Sequence, residues 1–243
     1  MAKIIKGGSN DLKKAYKKHW IKSVAYLVFA LASLPLAPFT YGLTLIFFGI
    51  FGFLYGKNKE KAKILFAGLE GEKKSSKLLK KLPNPYYVIP GPRIQVDGQE
   101  SEMDHIIIGP NGIFVMETKN YNGRIVGSEK DNNLTQYKVG RGGGRYTKTF
   151  YNPIKQVNTH VYRLSKLLKK YGYGQWVQGM VLFTNLKAEV NIKSNSIPVF
   201  NVKENGTKKV LNYITKYKSK ANLDSKRCNE IVEFINESTK NRR

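Results

Sequence analysis

The sequence predicts an α/β protein in which a mixed sheet flanked by helices follows a two-helix transmembrane hairpin. Three observations lead there. Residues 23–56 contain no charged side chain. Residues 103–119 read as strand, four-residue turn and strand. Beyond them, helical periodicities alternate with short apolar runs, the pattern of a layered α/β fold with a mixed sheet.

The chain has 243 residues, Lys+Arg 42 against Asp+Glu 17, and a formal net charge of +25. An apolar content of 41% is enough for a core and excludes wholesale disorder. The single cysteine, Cys228, excludes an internal disulfide framework and a cysteine-based zinc site, and fits a reducing compartment. Three histidines (His19, His105, His160) are too few for a histidine-rich metal centre. A positive surplus of this size calls for an anionic partner, nucleic acid or anionic lipid, or else for a basic face that is merely solvated.

In chain order, residues 1–22 form a basic N-terminal segment with seven lysines against one aspartate. The uncharged run Ser23–Gly56 exceeds the roughly 20 residues of one crossing. Pro35 and Pro38 divide it, so residues 20–36 and 39–55 are each expected to span. Lysines flank both outer ends, which by the positive-inside rule puts both ends in the cytoplasm and makes the chain a multi-pass protein of the cell membrane. A buried helical pair in a soluble core and a signal sequence cleaved near Ala30-Leu31-Ala32 are the competing readings.

Residues 57–203 are expected to form the soluble cytoplasmic domain and 204–243 a C-terminal helical extension. A helix over 59–82 ends at Pro83 and Pro85, with Gly68 and Gly71 as weak points. Tyr86–Pro90 and Arg93–Val96 read as short strands, and Arg124–Gly127 as a further one. Residues 138–150 read as a Gly/Arg-rich loop, either a DNA-binding tongue or a plain connection. Asn152-Pro153 opens a helix to about Lys170, with Asn as N-cap and Pro at the first position. Trp176–Thr184 and Ile197–Val202 read as strands, and 206–219 and 224–238 as helices.

The hairpin carries the chemistry. If Ile108 faces Ile113 across the turn, Asp104 faces Glu117, and alternation puts Glu117 and Lys119 on one face. Cross-strand carboxylates have Cβ atoms about 5 Å apart and repel. A hard cation such as Mg²⁺ or Mn²⁺ relieves that repulsion. With a lysine beside them, the carboxylates are a minimal kit for metal-assisted phosphodiester hydrolysis; the bland alternative is a solvated hairpin end. On the later helix, Gln156 and His160 stand four residues apart, with Arg163 on the same face. They suit either a phosphate backbone or structural hydrogen bonds. Arg141 and Arg145 flank three glycines and are candidate nucleic-acid contacts.

The stretches GLEGEKKSSKLLKKLP, EMDHIIIGPNGIFVMETKNYNGRIVG, NPIKQVNTHVYRL and VLFTN, with Gln136 between them, resemble the NERD, or nuclease-related, domain over about residues 64–185. That family resembles a branch of the PD-(D/E)xK restriction-endonuclease-like superfamily. The resemblance implies a four-stranded mixed sheet flanked by helices. It also implies an active site of Glu72, Asp104, Glu117 and Lys119, with Gln136 at a polar position after it. Leu134 departs from the tryptophan often found two residues before that glutamine. In this reading Asp104, Glu117 and the Thr118 carbonyl hold the metal, Lys119 positions the attacking water, and Glu72, or Glu70 in its place, steadies a water from the first helix. The expected function is metal-dependent hydrolysis of DNA at the membrane, with RNA and homo-oligomerisation left open. A non-catalytic DNA-binding or protein-interaction scaffold is the alternative.

Overall fold

The computed structural model describes residues 1–5, 11–140, 142–219 and 223–240. The chain divides into two units, one of residues 10–70 and one of residues 1–9 with 71–243.

Residues 10–70 hold two helices, α1 (Asp11–Ser33) and the first part of α2 (Thr44–Leu79). Two single-turn 3-10 segments, Leu34–Leu36 and Pro38–Thr40, lie between them. The prolines sit in the first turns of these segments, where a missing N–H costs least. Tyr41 and Gly42, both at positive φ, then turn the chain. Small buried residues on α1, Ser23, Ala30 and Ser33, let the helices meet. Tyr26 and Phe29 pack on Phe51, and His19 Nδ1 lies 2.9 Å from Asn58 Oδ1, so the chain after the turn runs back alongside the chain before it.

The expected pair of membrane crossings is not what forms. Among the described residues one helical stretch, Asp11–Leu36, is long and apolar enough to cross a membrane, and little of it is buried within the protein. The second half is shorter than anticipated because the turn consumes residues 38–43. Helix α2 begins only at Thr44, and its uncharged part to Gly56 rises about 20 Å against a hydrocarbon core of about 30 Å. The multi-pass expectation is corrected accordingly to one N-terminal apolar helix.

The second unit is mixed α/β. Its strands are β1 (Lys3–Ile4), β2 (Tyr87–Pro90), β3 (Arg93–Val96), β4 (Gln99–Glu102), β5 (His105–Gly109), β6 (Gly112–Lys119), β7 (Gly123–Ser128), β8 (Asn133–Val139), β9 (Arg145–Tyr151), β10 (Val177–Phe183), β11 (Ala188–Lys193) and β12 (Val199–Asn201). Helices α3 (Pro153–Lys170), α4 (Val202–Thr215) and α5 (Ser225–Lys240) join the C-terminal end of α2 around them. The central sheet runs β1-β2-β5-β6-β10-β12, mixed in direction, with β6 parallel to β10 and antiparallel to β5. It has six strands where the family resemblance implied four. A second sheet, β11-β7-β8-β9, and the β3-β4 hairpin complete the set.

Strands β5, β6 and β10 are buried on both faces and read as near-continuous apolar runs. Alternation sends Ile106, Ile108, Ile113 and Val115 into one core with Ile154, Val157 and Leu164 of α3 and Ile231 and Ile235 of α5. Ile107, Phe114 and Met116 enter the other core, with Leu78 and Leu79 of α2 and Val210 and Ile214 of α4. Cys228 is buried in the first of these. The Gly/Arg-rich loop is shorter than expected: most of 138–150 belongs to β8 and β9, whose Thr and Tyr content favours strands.

Candidate active site

Ile108 does pair with Ile113, and His105 with Met116. Asp104 lies one residue before β5 rather than in it. Its carboxylate takes the place of a strand partner: Thr118 N–H donates to Asp104 Oδ2 at 2.6 Å. Glu117 and Lys119 project from β6 on the side of α3. Lys119 Nζ donates to Glu117 Oε1 at 2.6 Å and to Gln156 Oε1 at 3.0 Å. His160, one turn after Gln156, brings Nε2 to 3.6 Å from Glu117 Oε2 and Nδ1 to 3.4 Å from Ser101 Oγ.

Helix α3 reaches this position because its start is fixed. Asn152 accepts from Ile154 N–H and donates to the Ser128 and Asp131 carbonyls. Gly179 on β10 lets the helix settle close, since a Cβ there would meet Ile197 at 2.9 Å and Val161 at 3.1 Å.

Glu72 comes from α2. Its helix is seated on the sheet by neighbours that carried no functional signal in the sequence. Thr118 Oγ1 donates to Ser75 Oγ at 3.2 Å, and Ser76 Oγ stands 2.7 Å from His105 Nε2. Gly71 lies so close to the loop after β6 that a Cβ would fall 2.9 Å from that of Asn120. The supposed weak point of the helix is therefore a close contact beside Glu72. Glu70, the substitute considered, is exposed, whereas Glu72 is partly buried.

The electrostatics mark these groups out. Glu117, 2% exposed, is pushed up to about 8, first by burial and then by Asp104, against the pull of Lys119. Glu72 is raised to about 7 by burial and then by Asp104 and Glu102. Asp104 keeps part of its surface accessible, yet burial raises it too, opposed by the Thr118 N–H and Lys119. For Lys119 burial disfavours the charge, but Glu117 and Asp104 outweigh it and hold the ammonium above its usual value. His160 is lowered to about 4 by burial, then by Arg163 and Lys119, which keeps it neutral.

Two buried atoms are left without a hydrogen-bond partner here, Glu117 Oε2 and His160 Nε2. Burying an unpaired carboxylate oxygen is costly, and a cation is one means of satisfying it. No group of three or more His, Cys, Asp or Glu side chains suited to a metal occurs among the described residues. Two carboxylates, of which Asp104 raises the pKa of Glu117, instead suit a hard cation of the Mg²⁺ type, which draws the rest of its oxygens from backbone, water and phosphate. Thr118 presents its N–H to Asp104, and its carbonyl points to the same edge of the strand.

The remaining candidates stand elsewhere. Gln136 is buried in the second sheet, two residues after the fully buried Leu134 on β8, and its amide donates to the Asn122 carbonyl at 2.6 Å. Arg163 is taken up by the β3-β4 hairpin, donating to Gln99 Oε1, the Glu100 carbonyl and Ser101 Oγ. Arg145 is exposed at the start of β9. Arg141 lies outside the described residues.

Comparison with known proteins agrees with the stretch that holds this cluster. Residues 67–184 match the NERD profile, described as the nuclease-related domain. An uncharacterised protein of Bacillus anthracis is 38% identical over 105 residues, 42% of this chain. The match spans about half of that relative, 47% of its length. No solved structure matches the chain significantly.

Proposed function

We propose that the chain, whose residues 67–184 match the nuclease-related domain, hydrolyses DNA phosphodiester bonds with Mg²⁺ or Mn²⁺, in a restriction-endonuclease-like arrangement on Asp104, Glu117, Lys119 and Glu72. One observation carries the reading. Asp104, Glu117 and Lys119 converge at the end of one hairpin, with a buried carboxylate oxygen left unsatisfied.

Asp104, Glu117 and the Thr118 carbonyl would hold the cation, which supplies positive charge for the phosphate oxygens and lowers the pKa of water. The protein's own groups do the positioning. Gln156 and Glu117 fix the Lys119 ammonium, leaving one donor for a water or a phosphate oxygen as charge develops there. Glu72, held near neutrality, can accept a proton from water or return one. His160 packs behind Glu117 as a neutral ring. Gln136, Arg163 and Arg145 are left out of the chemistry.

The apolar helix fits an anchor at the membrane. By the positive-inside rule the N-terminal lysines before its uncharged part would lie on the cytoplasmic side. The positive charge beyond residue 56 favours a polyanionic substrate.

The test is incubation of the full chain in detergent with duplex DNA, single-stranded DNA and RNA, with Mg²⁺, Mn²⁺ or EDTA. Metal-dependent cleavage lost in Asp104→Asn supports the reading. DNA binding without cleavage under every condition would assign the scaffold instead.

A further inference from the structure

Within residues 10–70, helices α1 and α2 leave a cleft of about 360 Å³ at the level where charged sequence gives way to uncharged sequence. We infer that this cleft is a binding site for one anionic glycerophospholipid, with an acyl chain along its apolar wall and the headgroup phosphate on Lys59 and Lys63. The inference concerns the apolar unit alone and does not rest on the nuclease reading.

The lining divides as such a ligand requires. Trp20, Val24 and Leu27 of α1 and Phe66 of α2 supply the wall, which is mostly apolar. The volume falls in the small-ligand range of about 300–1,000 Å³. Ala62 and Ser23 form a narrow floor, both almost fully buried. Ser23 donates its hydroxyl to the Trp20 carbonyl at 2.7 Å, so the floor presents no free donor.

At the rim, Lys59 Nζ lies 2.6 Å from the Tyr55 hydroxyl and 4.9 Å from the centre of its ring. The ammonium and the phenol thus form one preset polar corner, with Lys63 exposed one turn further along α2. A phosphodiester oxygen can accept from Lys59 while the ring holds the lysine's orientation.

Charge complementarity selects the occupant. Residues 11–22 carry five lysines against Asp11, and residues 57–63 carry four against Glu60. His19 and Asn58 hold the two segments side by side, so both basic runs lie at one end of the helical pair. Past that end the helices expose Val28, Phe29, Leu31, Phe47, Ile50 and Phe53 to their surroundings. That juxtaposition matches the boundary between lipid headgroups and acyl chains, with Trp20 and Tyr55 at the level that aromatic side chains favour. A peptide or a soluble metabolite would find the collar of exposed apolar residues beyond the cleft out of place.

The experiment is native mass spectrometry of the full-length chain in detergent, exposed to an equimolar mixture of phosphatidylglycerol and phosphatidylcholine. Three further samples run beside it: Lys59→Gln/Lys63→Gln, Ala62→Leu, and the control Lys13→Gln/Lys14→Gln. The wild type should retain one phosphatidylglycerol per chain, about tenfold or more over phosphatidylcholine, because only the former brings a net negative headgroup to the two lysines. The first variant should lose that preference, and Ala62→Leu should lose the bound lipid. The control, equal in charge lost, should keep both. Equal retention of the two lipids would overturn the site, as would a control that loses the preference as fully as the first variant. Displacement of the lipid by inorganic phosphate alone would overturn the lipid assignment. An intact mass lacking α1 in protein recovered from cells would overturn it by showing a cleaved signal. Circular dichroism that shows the helices intact in each variant separates loss of the site from loss of fold.

Discussion

Lys119 Nζ stands 2.6 Å from Glu117 Oε1, two residues away on the same face of β6, in a place where Glu117 is almost wholly buried. A buried ion pair is a weak source of stability, because the desolvation of both charges offsets their attraction. This pair is further weakened by Asp104, which repels Glu117. The arrangement is thus poor for folding and suited to holding charge against a phosphate.

Removing one partner should expose that imbalance. Lys119→Ala leaves Glu117 without its ammonium, so the carboxyl is held protonated to still higher pH and the variant should lose stability in urea unfolding mainly above about pH 8. It should also lower cleavage by at least about a hundredfold. Lys119→Arg retains the charge but not the shape, so it should recover stability ahead of activity.

Asp104→Asn should act in the opposite sense on the fold. The amide oxygen can still accept from Thr118 N–H, while the repulsion on Glu117 is removed. The metal-free variant should be more stable than wild type by on the order of 1 kcal/mol, yet inactive. A variant less stable than wild type in EDTA would contradict the repulsion.

Stability of the metal-free protein should fall as pH rises. Glu117 is held up to about 8 and Glu72 up to about 7 in the fold, against 4.5 for the ordinary carboxyl group. The folded state therefore binds protons that the unfolded chain releases. The stability these groups contribute is fully present below the unfolded value and is lost as pH rises through the folded values. Thermal unfolding in EDTA should show a declining Tm from about pH 5 to about pH 9, and millimolar Mg²⁺ should flatten that decline.

Gly71→Ala tests the seating of Glu72. The added Cβ must displace Asn120, so the start of the helix shifts by a few tenths of an ångström or more. Cleavage should drop by about a hundredfold, as small misplacements of a catalytic group do. Because alanine favours helix, the helical content by circular dichroism should hold.

Much of the frame was legible in the sequence. The Ile108–Ile113 register, the Asn152 cap and the Glu117–Lys119 face follow from period-two alternation and turn chemistry, which are local. Asp104 was placed by extending that register, and its real partner, Thr118 N–H, differs because strand pairing stops at His105. What the sequence hid is tertiary. Ser75 and Ser76 look like surface serines in a lysine-rich helix until the sheet meets them. Gln156 and Arg163 share a helix face, yet one fixes Lys119 and the other is spent on the β3-β4 hairpin. The two-crossing hairpin failed for a countable reason, because the turn after Pro38 takes residues the second crossing needed.

The most direct measurement of the central claim is calorimetric titration of the full-length chain with Mn²⁺, beside Asp104→Asn and Glu117→Gln. Binding in the wild type that weakens by at least about tenfold in both variants, with their folds intact, is the predicted result. Equal Mn²⁺ binding in all three proteins, or none in the wild type with DNA present, would contradict it.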